Sequence, residues 1–157
     1  MWPYAIGAAV MLVIAVLLAR RLLRRGASAQ PRSETYRHIS PSQRGPLSRV
    51  LGRHGAHKIL LVTFAWDEEA SKFAASLQGA LSAANWSASR KTVGESAGIR
   101  GLHVEVSAGA TKQESGSAKA LVKWLRSESF SVEGPTTALP SQRDRGAPAI
   151  KLTVGTR

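Results

Sequence analysis

Three adjacent carboxylates, Asp67, Glu68 and Glu69, follow Trp66 at the end of an apolar run and form the densest acidic cluster in the chain. Paired carboxylates can share general acid and base work. In α/β sheets ligands collect beyond the carboxyl ends of strands, where this turn should fall. Asp67, Glu68 and Glu69 are therefore the candidate ligand-binding residues. The same acids also have a structural use: Asp67 can cap a helix N terminus, with Glu68 and Glu69 favoured in its first turn. A second turn, residues 109–116, reads as flexible and carries one charge of each sign, Lys112 and Glu114. It could present an anion to a following helix N terminus, but it has neither the Walker spacing nor G-x-G-x-x-G. His54 and His57 form an H-x-x-H with no acidic or cysteine partner nearby, too few ligands for a metal. His103 has no Ser or Asp at a recognisable motif spacing and reads as structural or solvated. Cysteine is absent, which removes thiol nucleophiles, disulfides and cysteine-based zinc sites. No catalytic residue, metal site or cofactor is expected.

The elements that position these residues are legible in the apolar pattern. Residues 59–64 (ILLVTF) make a short apolar run suited to a strand buried on both faces. Beyond Asp67, the residues Ala70, Phe73, Ala74, Leu77, Leu81 and Ala84 recur at three- and four-residue spacings and mark one helix face. Asn85 ends that helix, Trp86 should fold back onto the same core, and a weaker strand is predicted near 87–93. Residues 94–101 read as a loop.

The pattern then repeats with a shift of 44 residues. Leu60 and Val62 match Val104 and Val106, Leu77 and Leu81 match Leu121 and Leu125, and Trp86 matches Phe130. The second strand is predicted at 102–106, its helix cap at Ser115 or Ser117, and the helix at 118–129, with Trp124 on its core face. A return strand begins at 131–133. Residues 134–148 read as a loop, and the alternation over 149–154 gives a last strand. Two copies are too few for a solenoid. One sheet covered by two helices is expected instead, an α+β fold of β-α-β-β-α-β-β order in a ferredoxin-like arrangement. An open parallel α/β sheet is the alternative. About 99 residues suffice for an independent core.

Phe73, Ala74, Leu77, Ala80, Leu81, Ala84, Asn85 and Trp86, with the echo ending in Phe130 and Val132, resemble an α/β domain of uncharacterised bacterial membrane-anchored proteins. Asn85 stands where that domain has glycine, and it can adopt the same left-handed cap conformation. The resemblance spans residues 58–157, rests on packing positions and implies no activity. The first strand, acidic turn and helix are also similar to the opening of TIR domains, and Trp124 and Glu128 follow a Trp-x-x-x-Glu pattern. That likeness implies a sensor or enzyme domain for a nucleotide-derived small molecule, by analogy of fold alone.

Ahead of the repeat the chain is different in kind. Residues 2–19 hold no charge and are mostly apolar. As a helix they would span roughly 27 Å, close to the ~30 Å hydrocarbon core of a bilayer. Pro3 suits a first helical turn, and Trp2 and Tyr4 suit an interface. Arg20, Arg21, Arg24 and Arg25 follow as a basic membrane flank. A cleaved signal peptide would need its positive charges before the apolar run, and here they come after it. By the positive-inside rule the N terminus faces outward and the C-terminal domain is cytoplasmic, at the inner membrane. The predicted organisation is a transmembrane helix with basic flank at 1–25, a disordered basic linker at 26–57 and a small α/β domain at 58–157.

This segregation interprets the formal net charge of +12 on 157 residues. Residues 1–19 contribute zero, 20–58 contribute +9, and 59–157 only +3. Such a balance argues against nucleic acid as a partner of the folded domain. It favours the lipid bilayer, with anionic headgroups as a further attraction for the linker. The expected function is a single-pass membrane protein whose α/β domain is a non-catalytic binding module for an unidentified protein partner.

Overall fold

The computed structural model describes residues 36–94, 98–138 and 146–157. The expected transmembrane helix, its flank of Arg20, Arg21, Arg24 and Arg25, and the first part of the linker lie outside the described residues. No helix among the described residues is long and apolar enough to cross a membrane. From Tyr36 onward the chain forms one compact α+β unit. Its elements run α1 (Pro41–Gly52), β1 (Lys58–Phe64), α2 (Glu68–Ser82), β2 (Ser87–Val93), β3 (Leu102–Ser107), α3 (Lys112–Ser127), β4 (Val132–Ala138) and β5 (Ile150–Val154).

The repeat is visible in the fold as two β-α-β units, β1-α2-β2 and β3-α3-β4, each with its strands adjacent and parallel. Their helix ends match closely. Asn85 and Ser129 both take left-handed backbone angles, φ 62° and 65°. Each sends the next residue back over the helix: Trp86 N donates to Leu81 O and Phe130 N to Leu125 O, both at 3.0 Å. This is the chain reversal that a left-handed residue after a helix permits.

The sheet order is β2-β1-β5-β3-β4. A ferredoxin-like arrangement would interleave the units, and a wholly parallel sheet would align them; neither occurs. Instead β5 lies between the units, parallel to β1 and antiparallel to β3. Burial explains the order. Ile150, Leu152 and Val154 are fully buried, so this strand gains most from a central place with hydrogen bonds on both sides. The polar strands SASRKTV and VEGPTTA are left at the edges.

All three described helices cover one face. Ile59 and Leu61 of β1 are in register with Ile150 and Leu152 of β5, which pair with Val106 and Val104 of β3. α2 packs over β1 and β2, α3 over β3 and β4, and α1 bridges the two helices. The opposite face carries Leu60, Val62, His103, Glu105 and Lys151, with Lys151 ion-paired to Glu105.

Three predicted boundaries move. Residues 41–52, expected in a disordered linker, form α1, whose Leu47 and Leu51 are fully buried together with Ile39. The helix accommodates its prolines: Pro41 begins it, where no N–H is needed, and Ser40 N donates to Gln43 Oε1 at 2.9 Å. Burial of the Leu47–Leu51 pair offsets the lost bond at Pro46. α3 starts at Lys112, not near Ser117, because Thr111 caps it. Thr111 Oγ1 accepts from Glu114 N at 3.1 Å, and Glu114 Oε2 accepts from Thr111 N at 2.7 Å. The predicted loop 109–116 is therefore mostly the first turn of α3. Likewise the predicted loop 134–148 gives up its first residues to β4.

Candidate functional site

β1 ends at Phe64, and the chain turns through Ala65 and Trp66 into α2. Asp67 caps the helix, its Oδ1 accepting from Ala70 N at 2.8 Å. Glu68 is exposed and pairs one helical turn on with Lys72, at 2.7 Å. The Lys72 hydrogen bond and charge hold its carboxyl below the usual carboxylate range. Glu69 points the other way. It accepts from Arg37 Nε at 2.7 Å, Arg37 N at 2.9 Å and Arg37 Nη2. Arg37 Nη2 also donates to Gly155 O at 2.6 Å, and its guanidinium lies 5.6 Å from the Phe73 ring centre. Burial pushes the Glu69 carboxyl up, but the Arg37 hydrogen bonds and the Arg37 and Arg157 charges outweigh it and hold it low.

The three predicted residues are thus neighbours in sequence with separate employments: a cap, a surface ion pair and a structural clamp. What remains at the turn is aromatic. Trp66 is 57% exposed and stacks on the buried Phe64 ring, with centroids 6.2 Å apart and planes at 18°. Beside it opens a recess of about 310 Å³ lined by Thr63, Phe64, Trp66, Asp67, Ser71 and Thr92. The Thr63 and Thr92 hydroxyls lie 3.4 Å apart across β1 and β2. Tyr36, the other large exposed apolar side chain among the described residues, lies with its ring centre 4.7 Å from Lys72 Nζ, and Lys72 pairs with Glu68 at the recess.

The equivalent turn of the second unit does not join this site. Because β1 and β3 run in opposite directions, the turn before α3 lies at the other end of the sheet. Glu114 is committed to the Thr111 cap there. His57 is likewise occupied. Its Nε2 lies 2.9 Å from His54 O and 2.8 Å from Ser117 Oγ. Ser117 Oγ donates to Gln113 O, so it accepts from the His57 ring, whose Nε2–H is thereby occupied. The His54 imidazole takes no part in this cluster, and no metal-binding group of three or more ligands occurs among the described residues. His103 faces Thr136 Oγ1 at 3.2 Å and Glu133 at 3.6 Å on the uncovered sheet face. Trp124 is buried, and Glu128 accepts from Gln43 Nε2 at 2.7 Å, so the Trp-x-x-x-Glu pair serves packing and the α1 contact.

Trp66 lies with the three acids at the strand end where ligands are expected, but sequence alone does not separate it from Trp86 and Trp124, which are both buried. Its position one residue before a helix cap was the available signal, since that place lies outside the apolar period. The chain matches no protein-family model, no curated protein and no solved structure.

Proposed function

We propose that the protein is a single-pass membrane-anchored binding module, held in the bilayer by residues 2–19 and flanked by Arg20, Arg21, Arg24 and Arg25, with its α/β domain presenting a non-catalytic interaction surface to a protein partner. The segregated charge supports the anchor: an uncharged run, then a +9 segment, then a nearly balanced domain. The proposed orientation places the domain on the cytoplasmic side of the inner membrane, where a positive flank is retained. Anionic headgroups would hold the flank through its arginines.

One observation carries the binding role. Trp66 is more than half exposed beside a recess, in a domain that buries its other described tryptophans. A large aromatic left in water is a recurrent anchor of recognition surfaces. The neighbouring carboxylates are engaged in capping and ion pairs, which favours recognition over acid–base chemistry at this turn.

A photo-crosslinking residue at position 66 of the full chain in its native membrane tests the module, with position 123, exposed on α3, as control. A discrete protein adduct at 66 and none at 123 is expected. Adducts identical at both positions would refute the surface. Release of the full chain by alkaline carbonate would refute the anchor, and external protease removing the domain from intact cells would refute the orientation.

A further inference from the structure

The two β-α-β units place their second strands, β2 and β4, at the two edges of the sheet. Edges offer unpaired backbone groups to any extended chain, and proteins commonly block them. The repeat allows the two edges to be compared position by position, and they differ. Arg90 and Lys91 of β2 correspond at the 44-residue shift to Gly134 and Pro135 of β4. In β4 the register against β3 slips there, between His103 and Glu105. Gly134 has φ +100°, with a Cβ excluded by Val104 O, and Pro135 has no N–H to offer. That edge is blunted. β2 pairs with β1 without a break across all seven residues.

The outward groups of β2 can be named. Ser87 N donates to His57 O and Val93 O accepts from Ala65 N, so the odd-numbered residues turn their backbone toward β1. Ala88, Arg90 and Thr92 therefore present theirs outward. Gln78 Nε2 already covers Ala88 O, at 2.8 Å. Among the described residues, Arg90 and Thr92 remain as the open ladder. Their side chains share the helix-covered face, in register with Leu61 and Thr63. Thr92 lines the recess beside Trp66. Arg90 is exposed and its side chain has no hydrogen bond or ion pair among the described residues.

We propose that the edge of β2 is a docking site for an extended acidic peptide segment of a partner protein. The added strand bonds to Arg90 and Thr92 through its backbone, sets a carboxylate against Arg90, and seats an apolar side chain two positions away in the recess beside Trp66. This deepens the interaction-module reading and rests on it. Side chains two apart share a face of a strand, so the spacing follows from strand geometry. Charge selects the occupant. A second copy of this chain pairing through β2 about a two-fold at its central residue would set Arg90 against Arg90, which is unfavourable. The chain's own segment 20–35 is strongly basic and would be repelled as well. Asp67 and Glu68 border the recess and exclude an acid there, fixing which peptide residue is apolar.

The test uses the full-length protein in nanodiscs and labelled eight-residue peptides in a threonine–valine host. One peptide carries glutamate with phenylalanine two positions later, a second reverses their order, and a third and fourth replace glutamate by lysine. One of the glutamate peptides is expected to bind, with roughly tenfold weaker binding of its lysine counterpart, from exchanging an attractive for a repulsive cross-strand pair. Arg90→Glu should invert that preference, Thr92→Pro should abolish binding, and amide exchange should slow at residues 90 and 92. Equal binding of the charge-swapped peptides, or no inversion in Arg90→Glu with an unchanged thermal midpoint, overturns the proposal. Absence of all peptide binding while the adduct at position 66 persists overturns the strand edge alone; loss of both overturns the module as well.

Discussion

The Arg37–Glu69 clamp gives the sharpest quantitative expectation. Arg37 stands at the start of the compact unit, and its side chain joins α2 through Glu69 and the C-terminal segment through Gly155 O. The two side chains are 11% and 17% exposed, so the pair is mostly out of water. Removing one partner of a fully buried pair costs about 3–5 kcal/mol, because the other charge is stranded. Residual exposure lowers this to about 2–4 kcal/mol for Glu69→Leu or Arg37→Met. At ~3 °C per kcal/mol for a domain of this size, the thermal midpoint should fall by about 10 °C. The double variant should recover much of the loss, because neither charge is then left unpaired. Chemical denaturation of the four proteins, read as a double-mutant cycle, measures this. Additive losses, or single-variant losses under ~1 kcal/mol, would refute the clamp. The same pair sets a pH dependence. The Glu69 carboxyl is held below its usual range in the fold. Its contribution is therefore present above the unfolded-state value, near ~4.3, and is lost as pH falls through the lowered folded value. On acidification the wild type should lose stability through that window, and Glu69→Gln should lose less.

Other consequences are more local. Thr111→Ala should destabilise the domain by about 1 kcal/mol in denaturant titration, through loss of the α3 cap. Ser129→Gly should raise the thermal midpoint and Asn85→Ala lower it, because both positions are left-handed and only glycine takes that conformation without cost. Trp66→Ala should abolish partner capture by a distal crosslinker while lowering stability by no more than ~1.5 kcal/mol, the scale of the lost stacking on Phe64. Leu51→Ala should cost about 2–5 kcal/mol, as for any fully buried leucine, if α1 belongs to the core. An exposed-like loss under ~0.5 kcal/mol would return α1 to the linker.

The acidic turn illustrates how far local reasoning reaches at the site. Asp67 as a cap and Glu68 in the first turn follow from identity and position, since their partners lie within one helical turn. Glu69 looks the same in sequence, yet its partner is 32 residues away. Trp66 differs from Trp86 and Trp124 in what packs on it, of which its place outside the apolar period is the one hint along the chain. α1 escapes local reasoning for a related reason: it holds two prolines and no regular apolar period, and its stability comes from burying Ile39, Leu47 and Leu51 in the tertiary core.

Taken alone, the amino-acid order determined what depends on neighbours along the chain. It set the two β-α-β units, Asn85 as the end of the first helix, the last strand, and the division into an uncharged run, a basic segment and a nearly neutral domain. Only the tertiary structure decided the sheet order, the opposed direction of the units, the place of α1 and the difference between the β2 and β4 edges. The reason is energetic. Caps and helical periodicity act over three or four residues, whereas the position of β5 is settled by competition among all strands for burial, and its apolar residues win the centre.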